Sequence, residues 1–148
     1  MTVTVALSVE VDAPVERTWA AATDWQRQGE WVLATGVTAR GTGLGAELAA
    51  FTGVGRLGFL DTMTVTAWDP PRYCEVLHTG RVVRGTGVFG VRPVGGGRSA
   101  FDWREDLELP LGALGRLGWP LARPLVAAAV RRSLERFATW AATYEPAA

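Results

Sequence analysis

The sequence predicts an α+β domain in which a curved antiparallel sheet grips one long C-terminal helix. Three observations carry this. Apolar residues alternate at a period of two in residues 3–11, 57–68, 72–79 and 99–109, and most of the expected strands are joined by short turn-rich connections. Two short helical stretches follow the first of these segments. The chain closes on a long apolar stripe of helical period.

In residues 3–11, Val3, Val5, Leu7, Val9 and Val11 alternate with Thr4, Ala6, Ser8 and Glu10, as in a half-buried strand. Asp12-Ala13-Pro14 reads as a helix start, a capping carboxylate followed by proline in the first turn. Val15, Trp19 and Ala22 then recur at helical spacing, and Thr23-Asp24 offers a second cap for a short helix over residues 25–30. Residues 31–40 are expected to be extended, and Gly41 to Gly45 to form a loop. Strands are expected at 46–52, 57–68, 72–79, 82–91 and 99–109. The connections at 53–55, 69–71, 80 and 93–97 are rich in glycine and proline. Such short links favour antiparallel pairing of neighbours. After Pro110, glycines 112, 115 and 118 suggest a loosely helical lead-in, with Pro120 opening the long helix and Pro124 kinking it or delaying its start. Val126, Val130, Leu134, Phe137 and Ala141 form its apolar stripe, while Arg131, Arg132, Glu135 and Arg136 face away. From residue 119 to 143 such a helix is roughly 37 Å long.

At 148 residues, one domain spanning 1–148 is expected, large enough to bury a core without disulfides or metals. Fifteen basic residues balance fifteen acidic ones, which removes the electrostatic reason to expect nucleic acid or a strongly anionic partner. All fifteen basic residues are arginine; lysine, isoleucine and asparagine are absent, the stamp of a GC-rich and so bacterial genome. Without lysine there is no Schiff-base or phosphate-binding lysine. A single Cys74 and a single His78 exclude a Cys/His zinc cluster and an internal disulfide, so neither a metal nor a cofactor is expected. The opening residues show no signal-peptide pattern, and no window of eighteen apolar residues occurs. A cytoplasmic protein without stable membrane insertion, monomeric or homodimeric, is the expectation.

The stretch Val9-Glu10-Val11-Asp12-Ala13-Pro14-Val15-Glu16-Arg17-Thr18-Trp19, then Thr23-Asp24-Trp25 and Trp31, resembles the SRPBCC superfamily. This is the START-like, birch-allergen-like group that includes the polyketide cyclase/dehydrase families. Val65-Thr66-Ala67-Trp68-Asp69-Pro70-Pro71-Arg72 and the terminal Ser133-Leu134-Glu135-Arg136-Phe137 fit the same pattern, so the resemblance spans nearly the whole chain. It implies a helix-grip fold with a large internal cavity for an apolar ligand, and no single reaction. Fold likeness does not supply chemistry.

Strand alternation singles out the chemistry-bearing residues. Glu105 is the only charge on the face of Phe101, Trp103, Leu107 and Leu109. Asp61 is the odd residue beside Phe59, Met63, Val65 and Ala67. His78 shares a face with Cys74 and Val76; periodicity leaves open whether that face points inward, and the Pro-Pro-Arg resemblance implies that it does. Asp61, His78 and Glu105 are thus the candidate catalytic residues, able to act as general acid and base if desolvation shifts their pKa values. Ligand orientation and a purely structural role are the alternatives, with Arg81 or Arg84 as an internal counter-ion. The expected cavity lining is Phe59, Met63, Phe89, Trp103, Val130 and Phe137 with the three polar residues.

Other motifs weigh less. Gly53 to Gly58 and Gly85 to Gly90 both fit G-x-G-x-x-G, but no helix follows either, so turns or inner-strand glycines are expected, with Gly85 and Gly87 opening room in the cavity. Cys74 reads as a buried inert thiol, and the seven tryptophans as core. The apolar segment 111–126, carrying Arg116 and Arg123, reads foremost as a packed helix start, with a membrane-surface element or a lid as alternatives. The leading expectation for function is binding, with transport as one form of it, of a hydrophobic small molecule such as a lipid, isoprenoid or polyketide. A polyketide cyclase/dehydratase-type enzyme is the first alternative. A partner-binding scaffold whose cavity is closed by its own aromatics is the second.

Overall fold

The computed structural model describes residues 2–147. Seven strands form one antiparallel sheet: β1 (Thr2–Val11), β2 (Thr35–Arg40), β3 (Glu47–Val54), β4 (Leu57–Asp69), β5 (Tyr73–Thr79), β6 (Arg84–Gly95) and β7 (Arg98–Glu108). Their order is β1-β7-β6-β5-β4-β3-β2, a meander from β2 to β7 closed by β1 against β7. Thr66 is an extra residue of β4 in its pairing with β5, and a bulge of this kind bends the strand. Between β1 and β2 lie helix α1 (Val15–Ala22) and a 3-10 turn (Trp25–Glu30). Helix α2 (Gly112–Ala142) crosses the concave face. The helix-grip architecture expected from the sequence is the one observed.

Three local expectations need correction. Asp12 does not cap α1; Pro14 holds that position with no side-chain cap bond, and the helix ends where Thr23 Oγ1 donates to the Trp19 carbonyl over 2.8 Å. Residues 31–34 are not strand: Trp31 is fully buried and ends the 3-10 turn, and β2 starts at Thr35. Most notably, α2 begins at Gly112, so Pro120 and Pro124 lie inside it and do not open it. Each proline withholds one helical N–H, from the carbonyls of Arg116 and Pro120. Both residues are exposed, so water can take the place of the missing donors.

The core occupies one end of the groove between sheet and helix. Trp31 is its hub, with ring centroids 4.8 Å from Phe137, 5.9 Å from Phe101 and 5.7 Å from Trp103. Phe137 lies 4.4 Å from Phe101, and Trp25 and Trp19 extend the cluster to Trp68. Offset and edge-on pairs of this kind stabilise beyond the area they bury. Polar bonds pin the same end. Ser133 Oγ accepts from the Leu33 amide at 3.1 Å, Arg136 donates to the Glu30 carbonyl at 3.1 Å, and Arg17 donates to Ala142 near the end of α2 at 3.2 Å. Ser99 Oγ bridges Thr18 Oγ1 and the Ala13 carbonyl.

Candidate functional site

Beyond the aromatic end, the groove holds a cavity of about 320 Å³ between the sheet and the middle of α2. Its wall is largely aliphatic and aromatic, including Val5, Phe59, Met63, Val76, Phe89 and Trp103 from the sheet and Val126, Ala129 and Val130 from α2. Its ionisable lining residues are Asp61, His78 and Glu105. The tryptophans do not fill the groove. Trp19, Trp31, Trp68 and Trp140 gather at the other end, Trp25 and Trp103 stand in the cavity wall, and the space between the sheet and α2 stays open.

The three polar residues come from three strands and form one chain. His78 Nδ1 lies 2.9 Å from Asp61 Oδ1, and His78 Nε2 lies 2.9 Å from Glu105 Oε2. The imidazole is almost wholly buried, and both carboxylates are mostly so. Expected internal partners Arg81 and Arg84 play no part in this: His78 is the counter-ion, and Arg84 pairs with Glu108 at the surface instead. The physical reason is reach. His78 lies on the concave face between the strands that carry the two carboxylates, whereas Arg84 sits at the end of β6, mostly exposed.

Bare backbone permits the contact. β6 runs between β5 and β7, and its concave-face positions here are Gly85 and Gly87. His78 pairs with Gly85 and Glu105 pairs with Gly87, so the imidazole and the carboxylate meet over a strand with no side chains in the way. A Cβ on Gly87 would stand 2.9 Å from both Glu105 carboxylate oxygens. Gly85 has φ +125°, and a Cβ there would stand 2.0 Å from the Asp106 carbonyl oxygen, so no other residue fits without moving the strand. The sequence pointed to these glycines as cavity-openers; their observed place is the seat of the polar chain.

The electrostatics follow from this geometry. Burial alone would lower the His78 pKa, but hydrogen bonds to Asp61 and Glu105, and their charges, outweigh it and raise it to about 9. At neutral pH the ring is therefore an imidazolium that donates Nδ1–H to Asp61 and Nε2–H to Glu105. Burial raises the Glu105 pKa, against the opposing pull of the His78 hydrogen bond and charge; the Asp61 and Asp106 charges raise it further. Glu105 Oε1 has no protein donor among the described residues, which leaves it as the acceptor available to a ligand. Trp25 and Trp103, both in the wall, have buried indole N–H groups with no partner among the described residues.

Of the other expected lining residues, Phe59, Met63, Phe89, Trp103 and Val130 face the cavity. Phe137 does not. It is fully buried in the aromatic end, one turn or more beyond the cavity, tilted against Phe101 and edge-on to Trp31. The helical stripe located its face but not its depth along the groove. Sequence reasoning missed Gln28, Leu33, Thr35, Leu48, Ala50 and Thr52, which close the cavity from the 3-10 turn, the following loop, β2 and β3. Alternation in β3 carried a signal for the last three. Cys74 is buried, and burial, with the Glu75 charge, pushes its thiol up to about 12, which makes it inert at neutral pH. Among the described residues no cluster fit for a metal ion occurs, and no helix is long and apolar enough to cross a membrane.

Residues 2–142 match the family model described as polyketide cyclase / dehydrase and lipid transport. Among solved structures, an aromatase/cyclase named Zhui from a Streptomyces species is similar, with 18% identity, a TM-score of 0.74, and coverage of 95% of this chain and 94% of that one. A protein from Thermus thermophilus shows 15% identity, a TM-score of 0.79, and coverage of 93% and 95%. A START superfamily protein from Mycobacterium smegmatis shows 16% identity, a TM-score of 0.65, and coverage of 92% of each chain. At such identities these likenesses concern the fold. No curated protein matches the sequence.

Proposed function

We infer, since this chain belongs to the polyketide cyclase/dehydrase and lipid transport family, that it binds an apolar small molecule with one polar end. The apolar body lies between the sheet and α2, and a hydroxyl of the ligand donates to Glu105 Oε1. The observation that carries this reading is an apolar cavity whose ionisable groups form a single internally bonded chain with one free acceptor. Its volume, about 320 Å³, is at the small end of the range of small-molecule pockets, which favours a compact ring system or a single acyl or isoprenoid chain. Native mass spectrometry of the freshly purified protein, followed by solvent extraction, tests it. A stoichiometric hydrophobic passenger is expected. With a passenger in hand, Glu105→Gln should weaken its binding roughly tenfold, the loss of one charge-assisted hydrogen bond. Unchanged affinity in that variant would remove Glu105 from the site.

A second reading, turnover as a cyclase or dehydratase, is favoured by the His78 bridge. A carboxylate of raised pKa aimed into an apolar cavity is a suitable proton acceptor, and the imidazolium on its other oxygen steadies its charge until the proton arrives. In that reading Glu105 Oε1 removes a proton from carbon next to a ketone, and Asp61 and His78 hold the charge in place. A bell-shaped pH dependence of turnover, lost in Glu105→Gln, is the expected signature.

A further inference from the structure

Three segments lie at the end of the sheet away from the aromatic cluster. The β3–β4 hairpin turns at residues 54–57, β5 joins β6 through residues 80–83, and α2 departs from β7 beyond residue 108. The pairings Val54↔Leu57, Thr79↔Arg84 and Gly85↔Leu107 place all three at the same end of the sheet. Phe59 and Val83, which line the cavity, lie just inside them.

This end presents apolar side chains to solvent. Leu111, Leu114, Leu117, Leu121 and Leu125 are 71–79% exposed, and Val54 and Leu57 at the hairpin tip 80% and 83%. The four leucines within the helix fall in an arc of roughly 80° at 3.6 residues per turn, a continuous stripe. The expectation of a packed helix start is therefore corrected. These leucines are not packed on the sheet; Gly115, Trp119 and Ala122 form the less exposed side of this half-helix.

The charges on these three connections have one sign, and Glu108, just before the last of them, is paired with Arg84 at 3.7 Å. Residues 54–57, 80–83 and 109–126 contain Arg56, Arg81, Arg116 and Arg123 and no Asp or Glu, in a chain whose net charge is zero. None of the four arginines makes an ion pair among the described residues. We propose that this end docks peripherally on an anionic lipid bilayer, with the leucine stripe and the hairpin tip in the headgroup region and the cavity mouth turned towards the membrane. Charge complementarity selects this occupant. A second copy joined by the same face would set these arginines against their own like. The apolar side chains stand on two separate projections, the start of α2 and the hairpin tip, and a fluid interface conforms to projections. Apolar side chains combined with basic ones supply the two signals that reversible membrane binding needs. The proposal does not depend on what the cavity holds.

Flotation of the full chain with phosphatidylcholine vesicles, with and without phosphatidylglycerol, tests it. The protein is expected to float with the phosphatidylglycerol vesicles only, and less so as salt is raised. The double variant Leu117→Ser/Leu121→Ser should melt like the wild type and lose roughly tenfold or more in vesicle binding. Arg116→Gln/Arg123→Gln should lose roughly fivefold or more at low salt. The idea is overturned if the wild type floats with neither vesicle, or if the leucine variant floats as well as the wild type. It is equally overturned by a wild-type dimer that the leucine variant dissolves, or by retention on immobilised poly-glutamate without vesicle binding, which would assign the surface to a second copy or to an acidic protein. Loss of vesicle binding with the ligand still held in native mass spectra would leave the cavity reading intact, so the two readings fail separately.

Discussion

The two halves of α2 live in different environments. Residues 133–142 are wedged against β1, α1 and the 3-10 turn, with Ser133, Leu134, Phe137 and Ala141 buried and with backbone and side-chain bonds tying them to neighbours. Residues 112–125 keep the same helical backbone while exposing nearly every large side chain. The first half contains three glycines and two prolines, poor helix formers, and still it is helical. Helical backbone in this chain therefore does not report burial. What separates the halves is what each leaves beside it: aromatic rings at one end, an open cavity and its apolar rim at the other.

The largest test of that contrast is a pair of truncations. Phe137→Ala should destabilise the fold by about 3–5 kcal/mol, since the ring fills a dense aromatic end that cannot collapse around the void. Leu121→Ala, on the same helix, should change stability by less than about 0.5 kcal/mol. Urea denaturation of both variants measures the difference, and similar losses would break the comparison. Next is His78→Gln, which leaves two largely buried carboxylates without their cation and should cost about 3–5 kcal/mol at neutral pH. Gly87→Ala probes the same seat by sterics. It should displace the Glu105 carboxylate, cost about 1–3 kcal/mol and abolish ligand retention in native mass spectra.

The pH dependence sharpens the picture at the same residue. The folded His78 pKa, about 9, lies above its ordinary 6.5. The native state thus holds the proton more tightly than the unfolded chain does. Its contribution, on the order of 3 kcal/mol, is complete below pH 6.5 and is lost as pH rises through 9. Thermal melting of the wild type should fall across this window, while His78→Gln should melt with a flatter profile. A wild-type profile as flat as the variant's would show that the ring is not held as an imidazolium.

Much of this was legible in the sequence, and the exceptions share a cause. Alternation placed the strands and singled out Asp61 and Glu105, because a charge interrupting an apolar face is visible in one dimension. That His78 links the two was not visible, since the contact spans β6 and depends on two glycines whose lack of side chains reads equally well as a turn. The stripe from Val126 to Ala141 located a helix face but could not tell Val130, in the cavity wall, from Phe137, in the core. The start of α2 was missed because proline is a rule about hydrogen bonds, and an exposed helix can satisfy that rule with water. The apolar segment 111–126 was read foremost as a packed helix start because apolar composition does not record what covers a face.

The exposed half of α2 also has a biochemical corollary. The chain contains no lysine, so trypsin can cut only after arginine, and Pro124 shields the bond after Arg123; Arg116 stands in the stretch of α2 with the fewest tertiary anchors. Brief digestion of the folded protein should therefore nick first after Arg116, because cleavage follows local opening and this segment has little to hold it closed. The fragments on a gel would then report, band by band, how much of the helix the rest of the molecule holds.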